Sequence, residues 1–243
     1  MGMTATDLWL VRHGESVANV AASHAERTGL ERIPIDTRDA DVPLSATGRE
    51  QATALGRWWS AHADAVGMCW VSPYRRARET LEIARAEDAG AAPTVTDERL
   101  RDRELGILDL LTRRGVAARH PEEAERRRHL GKFYHRPPGG ESWADVALRL
   151  RSFFGDELPR CSGGGLLVAH DAVVMLALFV LLRLDEPELL EFAASHTVLN
   201  ASVTHLTCTP AGWELRDFSD VGHLQVEGAP VTVHPGSADV EPE

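Results

Sequence analysis

The chain has few cysteines and fewer basic than acidic residues, and both shortages limit the classes of protein to which it can belong. Only three cysteines occur among its 243 residues, Cys69, Cys161 and Cys208, and no two of them form a Cys-x-x-Cys pair. This spacing indicates neither a zinc site nor a disulfide framework. The net charge of -11 opposes a general affinity for nucleic acid or anionic membranes, because phosphate groups are bound by clustered lysines and arginines. An anionic ligand would therefore need a local pocket of positive charge.

Long apolar runs and targeting signals are also missing. The continuous apolar run at 172–182 is well short of the roughly 20 residues needed to cross a bilayer, so it predicts a core helix. No signal-peptide pattern opens the chain, which favours a cytoplasmic protein. The glycines at 163–165 precede a predicted strand instead of following it, so they do not form a nucleotide-binding loop. Histidine and aspartate spacings typical of metal sites are absent, and we predict no metal and no cofactor.

What the chain does contain is a series of short apolar segments. The runs at 8–11, 68–71 and 166–169 predict buried strands. Because these runs are apolar throughout, they indicate a mostly parallel sheet that is covered by helices on both faces. Two later segments, 202–207 and 213–218, alternate between apolar and polar residues and predict an antiparallel pair at the edge of the sheet. The predicted fold class is α/β.

Amphipathic helices are predicted between these strands. One begins near the capping-box pair Thr47 and Glu50, a second follows Pro73, and a third begins at Ser142. We expect a single domain over residues 1–224. The remaining residues, 225–243, are rich in proline, glycine and acidic side chains, and this composition predicts a flexible tail.

Polar side chains follow three of the predicted strands. Arg12 and His13 end the first strand, Arg75 and Arg76 follow the Ser-Pro pair after the second, and His170 directly follows the third. Because the carboxyl ends of parallel strands meet at one edge of a sheet, we expect these side chains to share a crevice. An arginine fork suits phosphate oxygens, and a neutral imidazole can attack phosphorus. The sequence therefore predicts a phosphate site with a histidine nucleophile, and Arg75 is expected on its rim.

Five motifs follow one another along the chain. They are Arg12-His13-Gly14-Glu15-Ser16 with Asn19; Pro43-Leu44-Ser45 with Gly48 and Gln51-Ala52; Ser72-Pro73 with Arg76-Ala77 and Thr80; Pro138-Gly139-Gly140-Glu141-Ser142 with Asp145 and Arg149; and Val168-Ala169-His170. In this order they resemble the histidine phosphatase superfamily, in its phosphoglycerate mutase-like branch. The resemblance covers nearly the whole chain and implies a three-layer α/β/α sandwich.

The resemblance also implies roles for the residues of the crevice. His13 would be the nucleophile that becomes phosphohistidine, and Arg12, Arg76 and His170 would complete the phosphate pocket. The two arginines disfavour a protonated imidazole nearby, which keeps the His13 lone pair available. They would also stabilise the negative charge of the phosphoryl transition state.

Two further features of the first motif have expected roles. Gly14 is predicted to let the backbone approach the bound group closely, and the N–H groups that follow it are expected to face the anion. By resemblance, Asn19 matches a phosphate-contacting position. A helix or turn cap is the alternative role for Asn19.

A leaving alkoxide needs a proton, so the site requires a carboxylic acid within reach. The resemblance places Asp102 where the family usually has glutamate, and we favour this residue. Because aspartate is one methylene shorter, Glu104 is an alternative. Asp171 is a third candidate, since the acid phosphatase branch uses a His-Asp pair, but an N-cap of the following apolar helix is its favoured role.

The predicted function is that of a metal-independent phosphomonoester hydrolase acting on a small phosphorylated substrate. The alternatives are a phosphoglycerate mutase-type phosphoryl transfer and a phosphate-binding scaffold without turnover. Two polar segments, 23–41 and 106–138, are expected to form the rim. The arginines of the second segment form either a lid that brings positive charge to the substrate or, as we favour, a solvated helix face. Its short length is more similar to phosphatase members of the family than to mutases.

Overall fold

The computed structural model describes residues 5–87 and 92–234. Over these residues, one six-stranded sheet is flanked by helices. The strands are β1 (Ala5–Arg12), β2 (Val66–Val71), β3 (Thr94–Thr96), β4 (Gly163–Ala169), β5 (Val203–Thr209) and β6 (Gly212–Asp220). The α-helices of the described part are α1 (Val17–Thr28), α2 (Ala46–Ser60), α3 (Arg75–Arg85), α4 (Arg113–Arg119), α5 (Pro121–Tyr134), α6 (Trp143–Glu157), α7 (Asp171–Leu181), α8 (Glu186–Ser195) and α9 (Gly222–Glu227).

The sheet is mixed, with the order β3-β2-β4-β1-β5-β6. Four strands form a parallel set, in which β1 pairs with β4, β4 with β2, and β2 with β3. Strand β5 runs antiparallel to β1 and forms a hairpin with β6 at the edge. This arrangement confirms the predicted α/β class, with its mostly parallel sheet and antiparallel edge.

Side chains of the central strands alternate between two cores. Leu8 and Leu10 of β1 pack on one face with residues of α6 and α7. Trp9 and Val11 pack on the opposite face with residues of α2 and α3. Because helices cover both faces, neither set of side chains meets water, and the segment 8–11 of the strand is apolar throughout. The three-layer α/β/α arrangement is therefore confirmed.

Strand β4 begins three residues before its apolar run. A Cβ atom on Gly164 would lie 2.3 Å from the ring of Trp9, and one on Gly165 would lie 2.4 Å from the ring of Trp70. The large side chains of the two neighbouring strands thus fill the space beside these glycines. The glycines from Gly163 onward belong to the strand, whereas the sequence placed them before it.

The helix starts follow serine caps. Ser45 caps α2 by accepting a hydrogen bond from the N–H of Gly48, so the predicted capping box at Thr47 and Glu50 is wrong. Ser142 caps α6 as predicted. Helix α1 and the three-residue strand β3 were not among the predicted elements, and the last six residues of α1 lie in the segment that was expected to be an irregular rim.

Helix α7 is the predicted apolar core helix. Residues 173–179 are all buried in the core that it shares with α6. In the two described stretches of chain, no helix combines the length and the apolarity that crossing a membrane would require.

The described chain continues past the predicted domain boundary. Helix α9 spans Gly222–Glu227 and so crosses the boundary between residues 224 and 225. Residues 230–234 then form hydrogen bonds with side chains near the end of β1. The domain boundary at residue 224 and the flexible tail from residue 225 stay predictions, and residues 235–243 lie outside the described residues.

Candidate active site

Three strands end level with one another at one edge of the sheet. The register pairs Arg12 of β1 with Ala169 of β4, and Val71 of β2 with Val168 of β4. The ladder continues one step further, because the N–H of His13 donates to the Ala169 carbonyl at 2.9 Å. The residues that follow these strands therefore leave the sheet side by side.

Two histidines and one arginine meet at this edge. The rings of His13 and His170 lie 5.2 Å apart between centroids, and the Nε of Arg76 lies 3.2 Å from the Nε2 of His13. The Nε2 of His170 lies 2.8 Å from the hydroxyl oxygen of Ser72, in the Ser-Pro pair after β2. Each of these ionisable side chains is almost wholly buried. The structure thus brings His13, Arg76 and His170 together.

Hydrogen bonds fix the protonation state of His13. Its Nδ1 donates to the carbonyl oxygen of Gly14 at 2.6 Å. Its Nε2 faces the Nε–H of Arg76, and because a guanidinium can only donate, Nε2 must be the acceptor. Burial, followed by the charges of Arg76, His170 and Arg12, holds the pKa of His13 well below its usual value. The His13 imidazole is therefore neutral, with its lone pair on Nε2.

The guanidinium of Arg76 uses all five of its N–H groups. Besides the bond from Nε to His13, Nη1 donates to the carbonyl and to the carboxylate of Asp39, at 2.7 and 2.9 Å. Nη2 donates to the Asp39 carboxylate at 3.2 Å and to the Asp102 carboxylate at 2.8 Å. Since arginine has five donors, an incoming phosphate must replace at least one of these partners.

The predicted acid, Asp102, lies within the same cluster. One of its carboxylate oxygens is 2.8 Å from Arg76 Nη2 and 3.2 Å from Nδ1 of His170. Its other oxygen accepts a hydrogen bond from the N–H of Arg103 at 2.8 Å. Burial opposes ionisation, but His170 and Arg76 outweigh it and hold the pKa of Asp102 well below its usual value. The carboxylate is thus ionised while Arg76 contacts it.

The Gly-Glu-Ser motif fixes the loop that carries Asp102. Glu141 forms ion pairs with Arg101 at 2.6 Å and with Arg149 at 3.0 Å. Arg149 also donates to the main-chain carbonyl of Asp102 at 3.2 Å. Through Arg101 and Arg149, the Glu141 carboxylate therefore connects the start of α6 to the loop on which Asp102 lies.

The two alternative acids lie elsewhere. Glu104 is exposed and accepts a hydrogen bond from the hydroxyl of Tyr74 at 2.7 Å, and the Tyr74 ring lies 5.2 Å from that of His170. Asp171 is the first residue of α7, and the N-cap position is occupied by His170. The favoured N-cap role of Asp171 is thus wrong, although its charge still suits the positive end of the helix dipole.

Arg12 is 2% exposed and points its Nη1 at main-chain oxygens. Nη1 donates to the carbonyls of Val198 and His234, at 2.6 and 2.9 Å. Its Nε is buried and has no hydrogen-bond partner within residues 5–87 and 92–234. Its charge nevertheless acts on His13, as the lowered pKa of that residue shows.

The expected roles of Gly14 and of the N–H groups after it are corrected. A Cβ atom on Gly14 would lie 2.5 Å from the carbonyl oxygen of Gly48, so the glycine is needed for the close approach of α2. The N–H groups of Gly14, Glu15 and Ser16 are bound by side chains of Thr80, Gln51 and Asn19. These N–H groups therefore stabilise the loop after β1 and are not available to bind an anion.

Asn19 serves the cap role that was predicted as its alternative. Its side-chain oxygen accepts from the N–H of Ser16, and the Ser16 hydroxyl accepts from the N–H of Asn19, which completes a capping box for α1. The same oxygen lies 3.3 Å from the amide nitrogen of Asn200. A contact between Asn19 and phosphate stays a prediction.

The rim arginines pair with nearby carboxylates. Arg75 is exposed and paired with Glu79, as expected for a rim residue. In the segment 106–138, Arg119 pairs with Glu31 at 3.0 Å, and Arg126 pairs with Glu123 at 3.0 Å. These contacts favour a solvated helix face over a lid that carries positive charge to the substrate.

Several residues of the site were not predicted. Asp39 lies in a short 3-10 turn, Asp39–Asp41, within an aperiodic segment, and no local pattern indicates its contact with Arg76. Ser72 belongs to the Ser-Pro motif and Tyr74 directly follows it, so this motif was the available signal for both contacts with His170. Among the residues that the structure describes, no group of three or more His, Cys, Asp or Glu side chains is arranged to hold a metal ion.

Comparison with known proteins agrees with this geometry. The model of the histidine phosphatase superfamily, branch 1, matches residues 8–221. The chain belongs to the histidine phosphatase superfamily. It is similar to the 2,3-bisphosphoglycerate-dependent phosphoglycerate mutase 2 of Gloeobacter violaceus, with 34% identity over 76% of this chain and 78% of that protein.

Solved structures of other histidine phosphatases resemble the chain in fold. The mycobacterial glucosyl-3-phosphoglycerate phosphatase is 26% identical, with a TM-score of 0.66 over 89% of this chain and 100% of that one. The alpha-ribazole phosphatase of Shigella flexneri is 20% identical, with a TM-score of 0.69 over 88% of this chain and 96% of that one. At this low identity, the second likeness shows the fold alone.

Proposed function

We propose that the protein is a metal-independent phosphomonoester hydrolase that forms a phosphohistidine on His13. The observation that carries this proposal is the buried, neutral imidazole of His13, whose Nε2 lone pair lies beside the guanidinium of Arg76. The substrate is a small phosphorylated molecule. A cytoplasmic location remains a prediction from the sequence.

Binding begins with an exchange of partners on Arg76. A phosphate oxygen takes the Nε–H that now reaches His13, which releases the Nε2 lone pair for attack. A second oxygen takes the Nη2 N–H that now reaches Asp102. The unpartnered Nε of Arg12 and the ring of His170 supply further donors to the phosphoryl group.

The phosphoryl group then moves to His13. Nε2 forms a bond to phosphorus as the bond from phosphorus to the ester oxygen breaks, and the leaving oxygen takes a proton from Asp102. The Nδ1–H of His13 stays on the Gly14 carbonyl and stabilises the positive charge that the ring acquires. In the second step, Asp102 accepts a proton from water, the water oxygen attacks phosphorus, and inorganic phosphate leaves His13.

Asp102 takes up a proton from solvent when substrate binds, because its surroundings change. In the free site, Arg76 and His170 keep the carboxylate ionised. When phosphate takes over the Arg76 N–H and places its own negative charge nearby, both changes raise the pKa of Asp102. Asp102 is therefore protonated, and able to act as an acid, only when a substrate is bound.

A mutase reaction is the second candidate, because a similar curated protein is a phosphoglycerate mutase. In that case, His13 would return the phosphoryl group to a different hydroxyl instead of to water. A bisphosphate primer would then be required to load His13 and to restore the phosphorylated enzyme.

The test is hydrolysis of p-nitrophenyl phosphate in the presence of EDTA, by the purified protein and by His13→Asn. We expect steady release of inorganic phosphate that the substitution abolishes. Isomerisation of phosphoglycerate that depends on a bisphosphate primer, with little hydrolysis, would establish the mutase instead. Phosphate binding without turnover of either substrate would contradict both reactions and favour a scaffold.

A further inference from the structure

Asp39 has more contacts with the phosphate arginine than any other residue described above. Its carboxylate binds both terminal nitrogens of Arg76, and its main-chain carbonyl accepts a third hydrogen bond from Nη1. The Asp39 side chain is 36% exposed, whereas that of Arg76 is 5% exposed. Asp39 therefore connects the buried guanidinium to the opening of the site.

The charges of the pocket are balanced before any substrate enters. The pocket contains two arginines, Arg12 and Arg76, and two carboxylates, Asp39 and Asp102, both of which bind Arg76. A phosphate group can take the place of Asp102 on one N–H of Arg76. Asp39 has a two-point carboxylate contact and a separate carbonyl contact, so it is the harder partner to displace.

The opening beside Asp39 carries further negative charge. Glu104 binds the hydroxyl of Tyr74, and the pKa of this tyrosine is raised by burial and by Glu104, Asp39 and Asp102. The pKa of the exposed Asp109 is raised by partial desolvation and by Asp39 and Glu104. Negative charge at the opening therefore comes from four carboxylates, those of Asp39, Asp102, Glu104 and Asp109.

Three nearby arginines are already paired. Arg38 acts electrostatically on Tyr74 and Glu104, but its guanidinium binds both oxygens of Asp41, at 2.9 and 3.2 Å. Arg75 is paired with Glu79, and Arg101 with Glu141. A second anionic group on the substrate would therefore meet carboxylates at the opening, and these arginines would have to leave their partners to bind it.

We propose that Asp39 is a specificity-determining residue that selects phosphomonoesters with an uncharged or cationic leaving group. This inference rests on the hydrolase function proposed above. Asp39 keeps its place on Arg76 while phosphate is bound, and its charge repels a leaving group that carries a carboxylate or a second phosphate. It leaves a neutral group unaffected and attracts an ammonium group.

The experiment compares kcat/KM for three substrates that differ in leaving-group charge. These are phosphocholine, p-nitrophenyl phosphate and 3-phosphoglycerate. We expect the unmodified protein to prefer the first two to the third. In Asp39→Asn, the ratio of kcat/KM for 3-phosphoglycerate to that for phosphocholine should rise about tenfold, because one nearby negative charge is lost.

Asp36→Asn is the matched control, since Asp36 is an exposed aspartate of the same segment and, among the described residues, pairs with neither Arg76 nor Arg38. We expect this variant to leave the ratio unchanged. Asp39→Ser gives a second measurement of the same ratio if Asp39→Asn fails to fold. Equal effects of the Asp39 substitutions on all three substrates would overturn the selection by charge and leave the hydrolase function intact. Absence of phosphate release from every substrate by the unmodified protein would overturn the hydrolase function, and this inference with it.

Discussion

At the scale of single residues, one main-chain carbonyl decides which nitrogen of His13 can react. Gly14 accepts the Nδ1–H, so the lone pair is on Nε2, next to Arg76. Burial and the two arginines then prevent protonation. Geometry and electrostatics thus favour the same state, in which the His13 imidazole is neutral and its Nε2 lone pair faces Arg76.

The roles of the three carboxylates can be separated by substitution. Asp102→Asn should lower kcat about a hundredfold for an alkyl phosphate, because general acid catalysis is lost. The loss should be smaller for p-nitrophenyl phosphate, whose leaving group hardly needs a proton. Steady-state kinetics with both substrates measures this difference.

Glu104→Gln and Asp171→Asn serve as controls for this prediction. Neither carboxylate contacts Arg76 or His170 in the hydrogen bonds described for the site, so each variant should keep kcat within about threefold. A loss in Asp171→Asn that equals or exceeds the loss in Asp102→Asn would assign the proton donor to the start of α7.

The residues of the site differ in how far the sequence could predict them. His13, Arg76 and His170 follow strands whose ends meet at one sheet edge, so the pattern of strands was enough. Asp39 reaches Arg76 only because a 3-10 turn in an aperiodic segment folds over α3. Gly14 was assigned to the wrong neighbour, because no local pattern indicates the close approach of Gly48.

At the scale of structural elements, residues 230–234 form a strap across the loop after β1. Gln51 of α2 donates to the carbonyl of Pro230 and to the hydroxyl of Thr232, at 2.8 and 2.9 Å. At the end of the strap, the His234 carbonyl accepts from Arg12 at 2.9 Å. The strap therefore holds Nη1 of Arg12, a residue that we propose to bind phosphate.

The side chain of His234 ties the strap to the first motif. Its Nε2 lies 2.7 Å from the carboxylate of Glu15, and its Nδ1 lies 2.6 Å from the hydroxyl of Ser23 in α1. The Glu15 carboxylate also accepts from the hydroxyl of Ser45, the cap of α2. The strap, α1 and α2 thus meet around a single carboxylate behind the nucleophile loop.

Removing the strap should weaken phosphate binding. A chain that ends after Ala229 loses the carbonyl that orients Arg12, so KM for p-nitrophenyl phosphate should rise about tenfold, with a smaller change in kcat. A chain that ends after Gly236 keeps His234 in a peptide bond, retains every strap contact described above, and is the matched control. An unchanged KM in the shorter chain would show that Arg12 does not depend on the strap.

The sequence predicted the elements that have a clear apolar pattern, which is a continuous run in the central strands and a helical repeat in α6. The central strands and α6 have such patterns, and they lie where they were expected. Strand β3 is three exposed residues at the sheet edge, so it has no apolar pattern to detect. The strap is short, lies outside any helix or strand, and is held by long-range hydrogen bonds to side chains. Composition alone cannot distinguish such a segment from a flexible tail.

At the scale of the whole molecule, burial of histidines makes stability depend on pH. Burial lowers the pKa of His13, His135, His170 and His223. For His135 this occurs even though its Nε2 lies 3.0 Å from the Glu123 carboxylate. The unfolded chain therefore binds protons at these histidines at a pH where the folded chain does not.

The sign of the effect follows from this difference in proton binding. Below the unfolded pKa of about 6.5, the unfolded state gains protons first, so the free energy of unfolding falls as the pH falls. Each histidine contributes a slope of up to about 1.4 kcal/mol per pH unit. Above this pH, the contribution of the neutral histidines to the free energy of unfolding is complete. The contribution of the ionised Asp102 carboxylate is lost only at lower pH, because its pKa is lowered.

Urea unfolding at pH 7.5, 6.5 and 5.5 measures this slope. We expect stability to change little between the first two values and to fall between the last two. His13→Asn should have a shallower slope in the lower interval, by up to about 1.4 kcal/mol per pH unit. A stability that stays constant from pH 7.5 to 5.5 would contradict the lowered pKa values of these histidines.

The central claim is that His13 carries the phosphoryl group between substrate and water. The most direct test is to mix the protein with a phosphomonoester whose phosphate is radiolabelled, stop the reaction within milliseconds in alkaline detergent, and map the labelled peptide by mass spectrometry. The account predicts an acid-labile label on His13 that is absent from His13→Asn. Hydrolysis with the label on another residue, or with no labelled residue under conditions that preserve phosphohistidine, would contradict it.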